Sequence, residues 1–396
     1  MKYNSNISHI LILFITLTCL ISCENRQERE NKLITISLNK ANAENKKLSE
    51  TIEEIRYLKL NTPGDGDLIG KIDKLLFYRD LIIILDKGIS KSVYVFNNKG
   101  NFLTKIGKIG DGPGEYQMPQ DVTLDKKNNE IIIYCSYSQK LIYFSLDGQL
   151  QREKKIGLRF RGMHFLKENK LAIFTQCIYN YQDNYGPIPY DFIICDTTGE
   201  ILHKQFRNKS KLGSSIVVIS TDSYFTDYNN DIYLSWVFND TIYKLDNNTM
   251  KAYYRLDFGH KSIDKEALTV LDNSQLLLKV ISGEFWAKLS PVLMADDKIL
   301  IKVSFGDMKE NEINYGAYYA ITSLSQNTTS IFKITENDID DCTVSFPIST
   351  HGDYFVSVSY PEEIIHQCYD DKPNLIGVNE EIIEYQNPIL VFRRLK

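Results

Sequence analysis

One unit recurs along this chain at nearly constant spacing: an apolar strand, a turn of Asp, Asn and Gly, and a second strand. Residues 92–96, 97–100 and 102–106 make the first copy, and residues 141–144, 146–148 and 150 onward the second. Residues 191–195, 197–199 and 201–202 make the third, and 241–245, 246–248 and 250 onward the fourth. The turn residues Gly100, Gly148, Gly199 and Asn248 stand 48, 51 and 49 positions apart. Each turn carries the residue types that accept positive φ in a hairpin. Upstream of each lies a further apolar run, at 81–85, 131–134, 171–174 and 232–236. Such runs suit inner strands covered on both faces. A period near fifty with four strands per unit predicts propeller blades.

The fifth turn, Gln326 and Asn327, comes 79 residues after Asn248. The excess falls on residues 262–289, where Ile263, Ala267, Leu268, Leu271 and Leu278 return at helical intervals. This predicts a short helical insertion between blades four and five, with Ser262 as its N-cap. Residues 298–303, 317–321 and 330–334 supply blade five, and 342–348, 354–359 and 388–396 begin the last. The chain stops before a fourth strand. Residues 55–60 are expected to supply it, closing the ring and protecting its edges, with 34–38 as an additional edge piece. The expected fold is all-β: a six-bladed β-propeller of four-stranded blades, closed by an N-terminal strand, spanning 34–396.

Residues 106–125 interrupt the alternation. Gly107, Gly110, Gly112, Pro113 and Gly114 exclude a continuous helix or strand, so the stretch joins one strand to the next. The run Gly110, Asp111, Gly112, Pro113, Gly114, Glu115, Tyr116, followed by Pro119 and Val122-Thr-Leu-Asp125, resembles the NHL-type repeat of six-bladed β-propellers. More closely, it resembles the propeller lipoproteins of Gram-negative gut bacteria. That resemblance implies fold and location, and no particular activity.

The first 22 residues read as a secretory signal peptide: Lys2, an apolar run over 10–21, and Leu20-Ile21-Ser22-Cys23. Those four residues match the lipobox of bacterial lipoproteins, so Cys23 is the expected lipidation site and the membrane a partner through that lipid. Residues 23–33 are polar and mixed in charge and read as a lipidated tether. Glu24 is not the aspartate that retains lipoproteins at the inner membrane. The resemblance therefore implies the outer membrane, facing periplasm or cell surface.

Loss of residues 1–22 removes Lys2 and moves the formal charge from −5 to about −6. A weakly acidic chain without a basic run has no electrostatic basis for binding nucleic acid. Cys135, Cys177, Cys195, Cys342 and Cys368 form no Cys-x-x-Cys pair, which speaks against a zinc or thioredoxin motif. Cys195, inside an apolar strand, reads as a small buried hydrophobe.

No phosphate loop, His-Glu-x-x-His or Gly-x-Ser-x-Gly occurs, and no cofactor or metal is expected from local motifs. Two insertions break the repeat. Residues 177–190 carry Tyr179, Tyr181, Tyr185 and Tyr190, flat surfaces with polar tips suited to stacking on a sugar or peptide. Residues 360–386 carry Glu362, Glu363, Asp370, Asp371, Glu380, Glu381 and Glu384 and read as a solvated excursion. Trp236 and Trp286 read as core. The preferred reading is a non-catalytic binding or scaffolding propeller for a glycan, peptide or protein ligand. The alternative is a calcium-dependent lactonase or lyase whose ligands converge at the central channel from several blades.

Overall fold

The computed structural model describes residues 33–64, 67–176, 180–182, 186–207, 223–309, 312–314, 317–340, 344–361 and 387–396. They form six four-stranded antiparallel blades in a ring. Blade one is Lys74–Tyr78, Leu81–Asp86, Ser92–Asn97 and Phe102–Ile106, from the axis outward. Blade two is Pro119–Asp125, Glu130–Cys135, Lys140–Ser145 and Leu150–Lys155. Blade three is Gly162–Phe165, Lys170–Phe174, Tyr190–Asp196 and Ile201–Arg207. Blade four is Phe225–Tyr228, Asp231–Leu234, Thr241–Asp246 and Thr249–Asp257. In blade five the innermost strand is split into Ala287–Lys288 and Leu293–Ala295, which pair with opposite ends of Lys298–Ser304. Ala317–Ser323 and Thr328–Glu336 complete it.

Blade six is Ser349–His351, Tyr354–Ser359 and Ile389–Leu395, and its fourth strand is Ile52–Lys59 from the other end of the chain. The closing strand therefore begins three residues earlier than the sequence reading placed it. The segment ahead of it does more than expected. Ile34–Ser37 pairs in parallel with the outer strand of blade four, and Ala43–Lys47 with that of blade five. One continuous strap covers three consecutive outer edges, where open backbone donors and acceptors would otherwise face solvent.

The apolar runs at 81–85, 131–134, 171–174 and 232–236 are the second strands of their blades, inner strands as expected. Their composition follows from position. Six hydrophobic clusters lie one between each pair of neighbouring blades, so a second strand is covered on both faces. Ile83, Ile84, Ile132, Ile133 and Ile173 are fully buried. Cys195 is likewise buried and unpaired, as is Cys135. Trp236 stacks on Tyr243 at 5.4 Å between blades three and four, and Trp286 packs edge-on to Phe305 at 4.9 Å, so both belong to the core.

The turn glycines have a second reason beyond φ. Gly100 and Gly199 sit at φ +79° and +91°, and a Cβ at either would lie 1.9 Å from a carbonyl oxygen, of Lys59 and Ile156 respectively. In both cases the tight turn abuts the end of the preceding blade's outer strand, so the repeat carries glycine where blades touch. In blade four the positive φ belongs to Asn247 rather than Asn248.

The helical insertion is present between blades four and five, as Lys265–Val270 and Asn273–Ile281. Its N-caps are Asp264 and Asp272, the second in a capping box with Gln275, whereas Ser262 closes a short 3-10 turn. A carboxylate two residues further on outcompetes the hydroxyl for the free N–H groups. Leu276 and Val280, four apart, are fully buried against Phe238, Ala287 and Leu289.

Candidate binding face

Strand direction alternates along each blade, which sorts the connections onto two faces. First-to-second and third-to-fourth strand turns have two to four residues, such as 79–80, 98–101, 146–149 and 296–297, and share one face. Apart from the links of the N-terminal strap, every longer connection begins and ends on the other. It collects 60–73, 107–118, 175–189, 208–224, 258–286, 305–316, 337–348 and 360–388. Both irregular insertions and the glycine-rich stretch emerge there. Loops placed on a rigid frame are where a propeller carries its ligand contacts.

The glycine-rich stretch is structural in its contacts. Tyr116 is buried and its hydroxyl donates to Ile106 O at 2.8 Å, which folds the loop back on its own start. Gly107 is at φ +76°, and a Cβ there would lie 2.1 Å from the Tyr116 ring. Glu115 accepts from Gly112 N at 2.9 Å, and a Cβ on Gly110 would meet that carboxylate at 2.0 Å. Gly114, at φ +76°, donates to Glu153 of blade two at 2.6 Å. Pro113 lies in the turn between them. The motif locks blade one to blade two.

Of the tyrosine insertion, Tyr179 and Tyr185 lie outside the described residues, as does the side chain of Tyr181. The backbone of Tyr181 pairs with Pro187 in a small hairpin, Asn180–Gln182 with Gly186–Ile188. Asn180 pins the hairpin base: its amide accepts from Arg159 N at 2.6 Å and donates to Arg159 O at 2.9 Å. Tyr190 starts the third strand of blade three, half-buried, with Lys204 Nζ 5.2 Å over its ring. It packs against the apolar cluster between blades two and three, which also takes in Ile188 of the hairpin. Cys23 and the acidic residues from Glu362 to Glu384 also lie outside the described residues.

The innermost strands are stitched together around the axis. Ser349 Oγ donates to Leu75 O at 2.9 Å, and Lys74 Nζ to Asp121 at 2.7 Å. Asp121 also accepts from Met163 N at 2.7 Å, and Thr123 Oγ1 from Phe165 N at 3.1 Å. His164 Nε2 meets Asp227 at 2.7 Å, and Thr226 Oγ1 donates to Val292 O at 2.6 Å. Five successive joints, from blade six through to blade five, are crossed this way. Each such bond contributes about 1 kcal/mol and fixes the inner wall.

The carboxylates of these joints, Asp121 and Asp227, are engaged. Loss of solvent works to raise the Asp227 carboxyl, but the hydrogen bonds and charges of His164 and Lys126 outweigh it and hold the group below the usual range. Among the described residues no three His, Cys, Asp or Glu side chains converge as a metal site.

A cationic cluster sits where the wall opens on the face of long connections. Lys87 is half-buried, and burial lowers its proton affinity; Asp73 and Asp121 oppose that effect, while Lys71 and Arg161 add to it. These charges come from four separate stretches: residues 71 and 73 of the connection into blade one, Lys87 of its next connection, Asp121 of blade two, and Arg161 at the entry to blade three. Arg161 Nε is buried without a hydrogen-bond partner among the described residues. Asp86, close by in sequence, is spent on the N–H groups of Gly70, Lys71, Ile89 and Ser90. With Lys74, four cations face Asp73 and Asp121, on a chain whose net charge is −5. Connections of the same face carry exposed apolar side chains: Ile89, Ile109, Met118 and Tyr137, the last 72% exposed. Sequence reading missed this cluster, because lysines 71, 74 and 87 and Arg161 look like ordinary surface residues until the ring joins them.

Fold and site together define a closed six-bladed propeller with one loop-rich, locally cationic face. The chain belongs to the family described as domain of unknown function DUF4934, matched over residues 33–394. It is similar in structure to a Bacteroides fragilis protein provisionally described as exported. The TM-score is 0.74 at 19% identity, covering 91% of this chain and 99% of that one. A member of the DUF4221 family from Bacteroides vulgatus aligns with TM-score 0.52 at 12% identity, covering 87% and 97%. At these identities the likeness concerns the fold. Among curated proteins no sequence matches the chain. No helix among the described residues is long and apolar enough to cross a membrane.

Proposed function

We propose that this chain is an exported, lipid-anchored propeller that binds a ligand without converting it. The observation that carries the reading is the one-sidedness of the ring. Long connections, exposed loop apolar residues and the cationic cluster share a face, while the opposite face has tight turns and the links of the strap. The ligand class is a glycan, peptide or protein segment bearing an acidic group, met by Lys71, Lys87 and Arg161 and flanked by Ile89 and Tyr137. The tyrosine hairpin, anchored at Asn180, extends the same surface, with Tyr179, Tyr181 and Tyr185 as its contacts.

The leader of residues 1–22, the lipid on Cys23 and the tether of 23–33 belong to this reading, with the outer membrane as the site. So does the likeness to NHL-type repeats, which rests on Gly110 to Tyr116. Among the described residues nothing in the geometry favours the calcium-dependent lactonase or lyase, since Asp121 and Asp227 are each held by a cation.

The test is binding of the purified chain from Cys23 onward to arrays of acidic and neutral glycans and peptides, beside a Lys87→Glu, Arg161→Glu variant. Retention of acidic members, reduced at least tenfold by the double reversal with the fold intact, supports the reading. Binding confined to neutral members, or untouched by the reversal, contradicts it.

A further inference from the structure

Independently of the binding reading, a buried amine sits where the helical insertion meets the seam between blades four and five. Lys288 ends the first half of the split inner strand of blade five and is 1% exposed. Its Nζ donates to Trp236 O of blade four at 2.7 Å, across the seam, and to Ser290 O at 3.1 Å, in the gap that splits its own strand. A neutral amine offers two N–H groups and an ammonium three. Two acceptors therefore satisfy the neutral form, and the third hydrogen of the ammonium would point into a dry interior.

The residues on either side of the amine belong to the packing of the insertion. Ala287 and Leu289 flank it in sequence, and Phe238 stands two residues from its acceptor Trp236. All three form one cluster with Leu276 and Val280 of the helix Asn273–Ile281. The helix is closely seated, since a Cβ on Gly306 would lie 1.9 Å from Val280 O.

Among the described residues no charge compensates the amine. On blade four, Asp240 is taken by Thr241 and Arg255. On the insertion, Asp264 and Asp272 cap helix N-termini, Lys261 donates to Gly283 O, and Lys279 pairs with Glu284. His260 stands beside the Trp286 ring. On blade five, Lys298 pairs with Asp296. Lys302 adjoins Val303, the residue opposite Lys288, and so faces the other side of the strand. Burial is the sole influence on the proton of Lys288, and it pulls the pKa down to about 7.

We propose that Lys288 is a proton-operated latch on the helical insertion: the neutral amine lets the insertion close over the seam, and opening of the insertion lets the amine take a proton from water. Opening parts Leu276 and Val280 from Phe238 and Leu289 and adds their apolar surface to the loop-rich face. The opened form holds the amine at its ordinary pKa of 10.5, so between there and about 7 it binds a proton that the closed form lacks. The ratio of opened to closed molecules then rises about tenfold for each unit that pH falls. It levels below about pH 7, where both forms hold the proton.

The experiment is thiol labelling, read by peptide mass, of the chain from Cys23 onward carrying Val280→Cys, with each rate divided by that of an unstructured peptide thiol at the same pH. The buried Cys195 of blade three reports opening of the whole ring. Labelling at position 280 is expected to rise about a hundredfold between about pH 9.5 and 7.5, to level below about 7, and to outpace Cys195. Lys288→Met should remove the pH dependence. Should that variant fail to fold, the slope and its levelling in the chain that keeps Lys288 decide. A rate independent of pH, a slope that survives Lys288→Met, or equal labelling of position 280 and Cys195 overturns the latch.

Discussion

Lys288 offers a sharp test of how the ring is packed. It is 1% exposed, with Nζ 2.7 Å from Trp236 O and 3.1 Å from Ser290 O, and burial alone takes its pKa from 10.5 to about 7. Between those values the unfolded chain carries a proton that the folded chain has released, so stability must rise with pH. The slope is about 1.4 kcal/mol per pH unit, and the window sums to about 5 kcal/mol. Below pH 7 both states hold the proton and the burial cost is fully present; above 10.5 neither does. Other groups titrate in the same range. Cys195, pushed up to about 12 by burial, gives the opposite slope above pH 9. Lys288→Met removes only the lysine contribution. The wild-type stability minus that of Lys288→Met, from urea unfolding between pH 6.5 and 10.5, should climb through the window by roughly the 5 kcal/mol worked above. A constant offset comes from the two lost hydrogen bonds. A flat difference curve would refute the assignment of Lys288 as a dry, unpaired cation.

Other outcomes follow from the strap and the leader. A chain beginning at residue 61 loses Ile36, Leu38, Leu48, Ile52 and Leu60, all nearly fully buried. At roughly 2 kcal/mol for each buried side chain, this removes about 10 kcal/mol, comparable to the whole stability of a domain. Such a chain should fail to give a cooperative melt, and an unchanged melting curve would refute closure by the N-terminal strand. Cys23→Ser should move the protein from the membrane to the soluble fraction on fractionation; continued membrane association would count against a lipid anchor.

How much of this was legible in the sequence depends on whether the cause is local. Blade period, tight turns and the closing strand were readable, because alternation and turn chemistry act over a few residues. The helical insertion was readable from its excess length and its spacing, but its cap was misplaced. Ser262 and Asp264 are both eligible, and the stronger acceptor, the Asp264 carboxylate, takes the free N–H of Ala267 while Ser262 ends the 3-10 turn before it. The strand Ala43–Lys47 left no signal, since Ala-Glu-Asn-Lys-Lys lies half-exposed on an outer edge and needs no alternation. The functional groups were the least visible. Lys71, Lys87 and Arg161 come together only when ring closure brings the connection into blade one beside blades two and three. Arg393 and Arg394 are neighbours in sequence, yet one is buried against Ser357 and the other pairs with Glu53 and Glu54 at the rim.

The most direct test of the binding face needs no knowledge of the ligand. A photo-crosslinking residue is placed singly at Ile89 or Tyr137 on the face of long connections, and at Asn98 or Asn247 on the face of tight turns. The cells that make the protein are then irradiated. If the ring works as a one-sided platform, adducts form from positions 89 and 137 and not from 98 and 247. Adducts from the tight-turn positions alone, or equally from both faces, would contradict it.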